Sequence, residues 1–153
     1  MNIEIERKFT VNKIPTNITK SILIEQFYML IDDNFVQRLR LFDDKEAIIS
    51  LKQNCSGLTR YEFEYKIPLS DAKKIISIGN FLSIKKIRHE IIIDDIKWEV
   101  DQFLDKNKGL VIAEVELESE TQKIDLPEWI EKDVTNQNKY YNYNLATNPY
   151  ISW

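Results

Sequence analysis

Two glutamates and a lysine alternate near the start of the chain, in the run Glu4-Ile5-Glu6-Arg7-Lys8. Side chains on a β-strand alternate between its two faces, so Glu4, Glu6 and Lys8 would share one face. Two carboxylates about 7 Å apart, with an ammonium group beside them, can hold a divalent metal ion and a phosphate together. The alternative is an ordinary amphipathic strand whose charged face meets water, and this segment alone favours that alternative.

The same alternation recurs along the chain and predicts about eight strands. Their predicted ranges are Asn2–Val11, Ile24–Ile31, Phe35–Phe42, Ala47–Gln53, Leu58–Ile67, Leu82–Asp94, Lys97–Leu104 and Leu110–Glu118. Tight turns are predicted at Asp43-Asp44 and Asp94-Asp95. Helical patterns cover Pro15–Ile22, Asp71–Ile78 with a Ser70-Asp71 cap, and Asn136–Leu145. Strands and helices do not alternate regularly, so the sequence predicts an antiparallel, β-rich α+β domain.

Length and composition bound the class of protein. With 153 residues, 43% of them hydrophobic, we expect one domain over residues 1–153 with a sizeable core. The net charge of −4 predicts no general attraction to nucleic acid or to an anionic membrane. One cysteine, Cys55, a charged N-terminus and short apolar runs predict a cytoplasmic protein. Only three glycines are present, and no glycine-rich nucleotide loop occurs.

Sorting the predicted strands by face separates the two signs of charge. Carboxylates cluster on the first, seventh and eighth strands, at Glu4, Glu6, Glu99, Asp101, Glu114, Glu116 and Glu118. Cations cluster on the third, fourth and sixth strands, at Arg38, Arg40, Lys52, Lys86 and Arg88. Like charges two residues apart repel, and a divalent cation and a polyanion would relieve the two clusters. This combination is typical of a metal–polyphosphate site.

Two architectures fit this alternation. In a β-sandwich the apolar faces meet in a core and the charged faces are solvated. In a closed barrel the charged faces point inward and the apolar faces are covered from outside. Alternation alone leaves both open, although the desolvation of charge favours the sandwich.

The ordered motifs resemble those of the CYTH superfamily, the triphosphate tunnel metalloenzymes. The run from Glu4 to Lys8 matches the ExExK signature of that superfamily. The likeness continues through Gln37-Arg38-Leu39-Arg40, Ser50-Leu51-Lys52, Thr59 to Glu64, Lys86-Ile87-Arg88, Trp98 to Asp101, Gly109 to Leu117, Asp133-Val134-Thr135 and Tyr140-Tyr141-Asn142. It therefore spans almost the whole chain. Two departures are Ser50, where a threonine is common, and Asp133, where a glutamate is common.

The resemblance implies an α+β fold built on an eight-stranded closed antiparallel β-barrel, a tunnel with a charged interior and a few flanking helices. It implies Mg²⁺ or Mn²⁺ as the cofactor, bound by Glu4, Glu6, Asp101, Glu114 and Glu116, with Glu62 and Glu64 for a second metal or a water. Phosphate would be bound by Lys8, Arg38, Arg40, Lys52, Lys86 and Arg88, with Arg60, Lys66 and Lys139 as further candidates. Glu4, Glu6, Lys8, Arg40 and Lys52 would be the catalytic residues.

The activity that the resemblance implies is hydrolysis of inorganic triphosphate to pyrophosphate and phosphate, with other triphosphate-containing substrates open. A class IV adenylate cyclase and a polyphosphate-binding module without turnover stay open as alternatives, because the same charged groups serve each. The single histidine, His89, lies on the apolar register of its strand and is expected to be structural. Apolar outer faces need a cover, which makes a homodimer plausible.

Overall fold

The computed structural model describes residues 3–54 and 59–153. Within these ranges the strands are β1 (Ile3–Val11), β2 (Lys20–Ile31), β3 (Phe35–Phe42), β4 (Glu46–Asn54), β5 (Thr59–Ile67), β6 (Leu82–Ile93), β7 (Ile96–Phe103), β8 (Val111–Glu116) and β9 (Ile130–Asp133). The α-helices are α1 (Leu69–Ile78) and α2 (Asn142–Thr147). Short 3₁₀ turns lie at Asp105–Asn107, Asn138–Tyr140 and Tyr150–Ser152. No helix in the described ranges has the length and apolar character needed to cross a membrane.

Eight of the strands close into a barrel. Neighbouring strands follow the order β5-β4-β3-β2-β6-β7-β8-β1, and β1 pairs back onto β5. Each of these pairings is antiparallel. The predicted closed antiparallel barrel with flanking helices is therefore confirmed, while β9 pairs on the barrel's outside with β1 alone.

The barrel closes through a short seam. Residues Ile3, Glu4 and Ile5 of β1 pair with Tyr61, Arg60 and Thr59 of β5. Further along, β1 pairs with β9 instead, from Phe9 to Val11. In the described part of the chain, the remainder of β5 is paired only with β4. The C-terminal segment reaches the interior cavity beside this seam, where Tyr141 contacts Arg60.

The hydrophobic core lies between the barrel wall and the segments that cover it. One cluster centres on Trp98, whose ring meets that of Trp129 edge-on at 5.4 Å between centroids. A second lies between the barrel and α2, around Leu145. A third lies between the barrel and α1, around Leu39 and Ala72. Apolar side chains thus face outward and charged ones inward, which is the second of the two architectures.

Three local predictions are wrong or incomplete, and one short strand was missed. The helix predicted over Pro15–Ile22 is absent from the described residues, because β2 begins at Lys20 and pairs there with Glu90 of β6. Helix α1 forms as predicted, but Pro68 is its N-cap residue and no side chain caps it. The predicted final helix, Asn136–Leu145, is a 3₁₀ turn followed by α2. The short strand β9 was not predicted.

Both predicted aspartate turns are confirmed. Asp43 and Asp44 have φ of 50° and 54°, and Asp94 and Asp95 have φ of 50° and 61°. Two successive residues with positive φ make the tight hairpin turn whose twist matches the flanking strands. Asp tolerates this conformation better than most residues, which explains its place in glycine-poor turns. The loop predicted through Cys55-Ser56-Gly57 lies outside the described residues.

Candidate active site

The barrel interior holds a cavity of about 320 Å³. All eight barrel strands contribute to its wall, and Tyr141, Asn142 and Tyr143 join them from the C-terminal segment. Most charged residues assigned to one strand face line it, namely Glu4, Glu6, Lys8, Arg38, Arg40, Lys52, Arg60, Glu62, Glu64, Lys86, Arg88, Glu114 and Glu116. The two-residue period of each strand, closed into a barrel, brings residues more than 100 positions apart into one space.

Two arginines of β3 face two glutamates of β5. Arg38 donates from Nη2 to Glu62 at 2.7 Å, and Arg40 donates to Glu64 and, at 3.1 Å, to Ser50 Oγ. The Nε atoms of Arg38 and Arg40 are buried and have no hydrogen-bond partner in the described structure. Burial and the charge of Arg38 lower the pKa of Arg40 to about 10. The guanidinium of Arg40 therefore stays charged near neutral pH, and both arginines hold an unused donor.

Lys8 and Lys52 each lie between carboxylates. Lys8 Nζ is 3.1 Å from Glu6 and hydrogen-bonded to Glu114. Burial acts to lower the pKa of Lys8, but Glu114 and Glu6 outweigh it and raise the pKa. Lys52 Nζ lies 2.5 Å from Glu4 Oε2 in an ion pair that lacks hydrogen-bond alignment. Lys8 is thus held as a cation inside the barrel, and Lys52 is held there in an ion pair with Glu4.

A buried aspartate of β7 binds two cations of β6. Asp101 accepts from Arg88 at both oxygens, at 2.7 Å each, and from Lys86. Arg88 also donates to Glu114 at 2.8 Å. Burial acts to raise the pKa of Asp101, but Arg88 and Lys86 outweigh it and hold the pKa below its usual value. Burial, reinforced by Arg88, lowers the pKa of Lys86 to about 8 despite the attraction of Asp101.

Negative charge is in surplus on the other side of the cavity. A second cavity of about 240 Å³ is lined by Glu4, Glu6, Glu99, Glu114, Glu116 and Glu118, among others. Glu116 forms no ion pair within the described structure, and burial together with the charges of Glu4 and Glu6 raises its pKa. A raised carboxylate pKa means that the ionised form is disfavoured by its surroundings. A bound cation would remove that penalty.

The donor chemistry fits a hard divalent cation, since carboxylate oxygens are the ligands that Mg²⁺ and Mn²⁺ prefer. Within residues 3–54 and 59–153, however, no three Asp, Glu, His or Cys side chains are already gathered as a metal site. Glu6 and Glu114 point at Lys8 instead. A metal would therefore bind by replacing ammonium partners of these carboxylates.

Three predicted site residues lie apart from the cavity. Lys66 is 75% exposed and pairs at 3.0 Å with Glu46 near the end of the barrel. Lys139 Nζ lies 4.3 Å from the ring centroid of Trp153 and 5.1 Å from that of Tyr140. Asp101 is buried in the wall behind Lys86 and Arg88 and does not line the cavity. Strand alternation gives the face of a residue but not how far along the barrel axis it lies.

Glu99 is a site residue that the predicted metal ligands omit. It lines both cavities and pairs with Arg88 and, at 2.8 Å, with Lys97. The signal was its position two residues before Asp101, on the same strand face. His89 contacts Ser21 Oγ at 2.8 Å and Gln102 Oε1 at 3.2 Å, and it does not line the cavity, as expected for a structural histidine.

A family model for the CYTH domain matches residues 2–147. The chain belongs to the CYTH domain family. This CYTH domain is 38% identical over 152 residues to a protein of Acetivibrio thermocellus named inorganic triphosphatase, covering 98% of this chain and 97% of that protein. A second inorganic triphosphatase, from Nitrosomonas europaea, is 27% identical over 146 residues, with 94% and 96% covered. The crystal structure of an inorganic triphosphatase aligns with a TM-score of 0.69 at 28% identity, covering 94% of this chain and 93% of that one.

Proposed function

We propose that this CYTH domain hydrolyses inorganic triphosphate to pyrophosphate and phosphate with the help of a divalent metal ion. The observation that carries the proposal is the pair of buried Nε donors on Arg38 and Arg40, two residues that line the cavity and whose Nε atoms have no partner in the described structure. Buried donors on charged groups are normally satisfied, and phosphate oxygens would satisfy these. The names of the two similar proteins support the same reaction.

Six cations would bind the phosphate chain: Lys8, Arg38, Arg40, Lys52, Lys86 and Arg88. Each is paired with a carboxylate in the free protein. These pairs hold the cations in place before substrate arrives, which lowers the ordering needed on binding. Phosphate oxygens would then take over from the carboxylates of Glu62 and Glu64, with Arg60 adding a further positive charge.

The proposed metal ligands are Glu4, Glu6, Glu114 and Glu116, with Glu99 added by the geometry. When bound, Mg²⁺ or Mn²⁺ would neutralise charge that develops on phosphate oxygens and polarise the phosphorus. We assign Asp101 to holding Lys86 and Arg88 in position, since both of its oxygens are occupied by them. Glu62 and Glu64 are assigned to orienting Arg38 and Arg40 in the same way.

A direct assay tests the reaction. The protein is incubated with Mg²⁺ or Mn²⁺ and either tripolyphosphate or ATP, and phosphate, pyrophosphate and cyclic AMP are measured. We expect equal amounts of phosphate and pyrophosphate from tripolyphosphate. Arg40→Gln should lower kcat/KM about 100-fold, the typical loss of a donor to developing oxygen charge.

The matched control is Lys73→Gln, an exposed cation on α1 that pairs with Asp44 at 2.9 Å and should leave turnover unchanged. Cyclic AMP as the product from ATP would replace the proposal with a cyclase. Tight binding of tripolyphosphate without turnover under either metal would replace it with a binding module.

The wider assignment has two parts. A reducing cytoplasm is proposed from the single cysteine of the chain.

A homodimer is proposed from the outer face of β5, where Tyr61, Phe63 and Tyr65 are between 39% and 57% exposed. Sedimentation equilibrium should give a dimer that Phe63→Ser weakens, and a monomer at all concentrations would contradict this.

A further inference from the structure

Arg60 differs from every other cation that lines the tunnel. The other six each have a carboxylate oxygen within 4 Å. In the described part of the chain, Arg60 has none. Although Glu4 lies opposite it across the seam, Arg60 forms no direct ion pair there, so a phosphate that approaches it has no bound carboxylate to displace.

An aromatic ring holds Arg60 instead. Its Cζ lies 5.1 Å from the ring centroid of Tyr141, within the range of a cation–π contact. Tyr141 also lines the cavity, although it belongs to the C-terminal segment rather than to a barrel strand. A cation on a ring face keeps its charge and leaves its N–H edges open to an anion.

Tyr141 is itself fixed at both ends. Its hydroxyl donates to the carbonyl oxygen of Thr135 at 3.1 Å, and its backbone N–H donates to Asn138 at 3.0 Å. Thr135 in turn accepts, at Oγ1, from the backbone N–H of Lys8 at 3.0 Å. The ring is thus tied to β1, on the opposite side of the short seam from Arg60.

The location matters because Arg60 belongs to the seam that closes the barrel. Within residues 3–54 and 59–153, β5 pairs with β1 from Thr59 to Tyr61, and Arg60 lies opposite Glu4. A long arginine side chain at this position would be free to turn in the cavity without a lateral contact. The contact with Tyr141 supplies one.

We propose that Tyr141 is a positioning residue that holds Arg60, a cation without an ion pair in the described residues, so that it captures an end phosphate of the linear triphosphate. This inference rests on the proposed triphosphate tunnel. It assigns the aromatic ring a role in substrate affinity and none in the chemical step. Removing the ring should therefore raise KM and leave kcat within about twofold, since the contact is the same before and during reaction.

The decisive experiment is a double-mutant cycle read as binding, with EDTA present so that no metal-dependent turnover occurs. The dissociation constant of tripolyphosphate is measured calorimetrically for wild type, Tyr141→Leu, Arg60→Ala and the double variant. Each single variant should bind about three- to tenfold more weakly, the range of an exposed to partly desolvated cation–π contact. The double variant should bind no more weakly than Arg60→Ala alone.

Two further variants separate positioning from packing. Tyr141→Phe keeps the ring but loses the hydroxyl bond to Thr135, so it should weaken binding less than Tyr141→Leu does. Tyr65→Leu removes a tyrosine from the outer face of β5, the strand that carries Arg60, and should leave binding unchanged. Should Tyr141→Leu fail to fold, Tyr141→Met takes its place, because its flexible side chain fills irregular gaps. Thermal unfolding of each variant verifies that the fold is intact.

The outcomes distinguish the inference from the proposed function. If Tyr141→Leu binds within twofold of wild type, or weakens binding equally with and without Arg60, the positioning role is wrong even where turnover is normal. If the cycle shows coupling but wild type has no turnover with metal, the triphosphatase activity is wrong and the positioning role stands. Wild type that does not bind tripolyphosphate with EDTA present overturns the positioning role, and the turnover assay with Mg²⁺ or Mn²⁺ decides the triphosphatase activity separately.

Discussion

The ammonium group of Lys86 has a pKa well below its ordinary value. Its ammonium is almost fully buried, and burial with the nearby charge of Arg88 brings its pKa down to about 8. As pH rises through that value, Lys86 loses the charge that would hold a phosphate oxygen. We expect kcat/KM for tripolyphosphate to fall above about pH 8, and this limb to move to higher pH in Lys86→Arg because guanidinium stays protonated. An identical alkaline limb in that variant would assign it to another group.

The same group sets a direction for stability. The pKa of Lys86 is 10.5 in its reference state and about 8 in the folded protein. Between these values the unfolded chain binds more protons than the native one, so this contribution to the free energy of unfolding rises with pH. Below pH 8 Lys86 is protonated in both states, and its buried charge lowers the free energy of unfolding by an amount that no longer changes with pH. A buried cation beside the substrate therefore reduces stability at neutral pH.

Residue types and spacing predicted most of the cavity wall but not its internal pairing. Glu4, Glu6 and Lys8 share a face because of strand geometry alone. That Lys8 lies between Glu6 and Glu114 depends on the neighbour of β1 in the barrel. Spacing within one strand contains no information about that neighbour. The exposure of Lys66 depends on its position along the barrel axis, which alternation does not give, whereas the face of Glu99 was predictable from its place two residues before Asp101.

At the scale of the element, α1 acts as a lid over apolar side chains on the outside of β3 and β4. Leu39 and Ala72 are fully buried in this layer. Leu39→Ala should lower the free energy of unfolding by about 2–5 kcal/mol, because it leaves a cavity that the barrel wall cannot close. Urea denaturation measures this. The matched control is Leu30→Ala on β2, where the side chain is 47% exposed and the change should be below about 0.5 kcal/mol. Equal losses at both sites would contradict the outward core.

The sequence predicted the long strands that alternate regularly. It did not predict the start of β2 or the short strand β9, which form by pairing with a neighbouring strand. Ile18 and Ile22 are four residues apart, a spacing that also suits a helix, and the pairing of β2 with β6 from Lys20 onward decides in favour of a strand. Strand β9 has four residues, too few to show a period. It forms because β1 leaves an edge free beyond its seam with β5. Both elements depend on contacts that are distant in sequence.

At the scale of the whole molecule, the fold places charge where most proteins place apolar side chains. Interior charges are tolerated because they are paired: Arg88 alone contacts Asp101, Glu99 and Glu114. Paired buried charges give little net stability, and their desolvation offsets much of their attraction. The outward apolar clusters under α1, α2 and Trp129 must therefore supply most of the stability. The interior is left to bind an anion.

Because the charged interior would bind an anion, the free energy of unfolding should depend strongly on whether that anion is present. With EDTA present, tripolyphosphate at 100 times its dissociation constant should add about 2.7 kcal/mol to the free energy of unfolding. For a chain of 153 residues this corresponds to a rise in Tm of about 5–10 °C. Differential scanning fluorimetry measures the shift. Arg40→Gln should reduce it, because Arg40 is one of the two arginines, with Arg38, whose buried Nε has no partner in the described structure. Sulfate at matched ionic strength is the control, since a compact dianion cannot span the cations of β3, β4 and β6 together. A sulfate shift as large as that of tripolyphosphate would mean that stabilisation comes from general ionic effects rather than from a chain of phosphates along the tunnel.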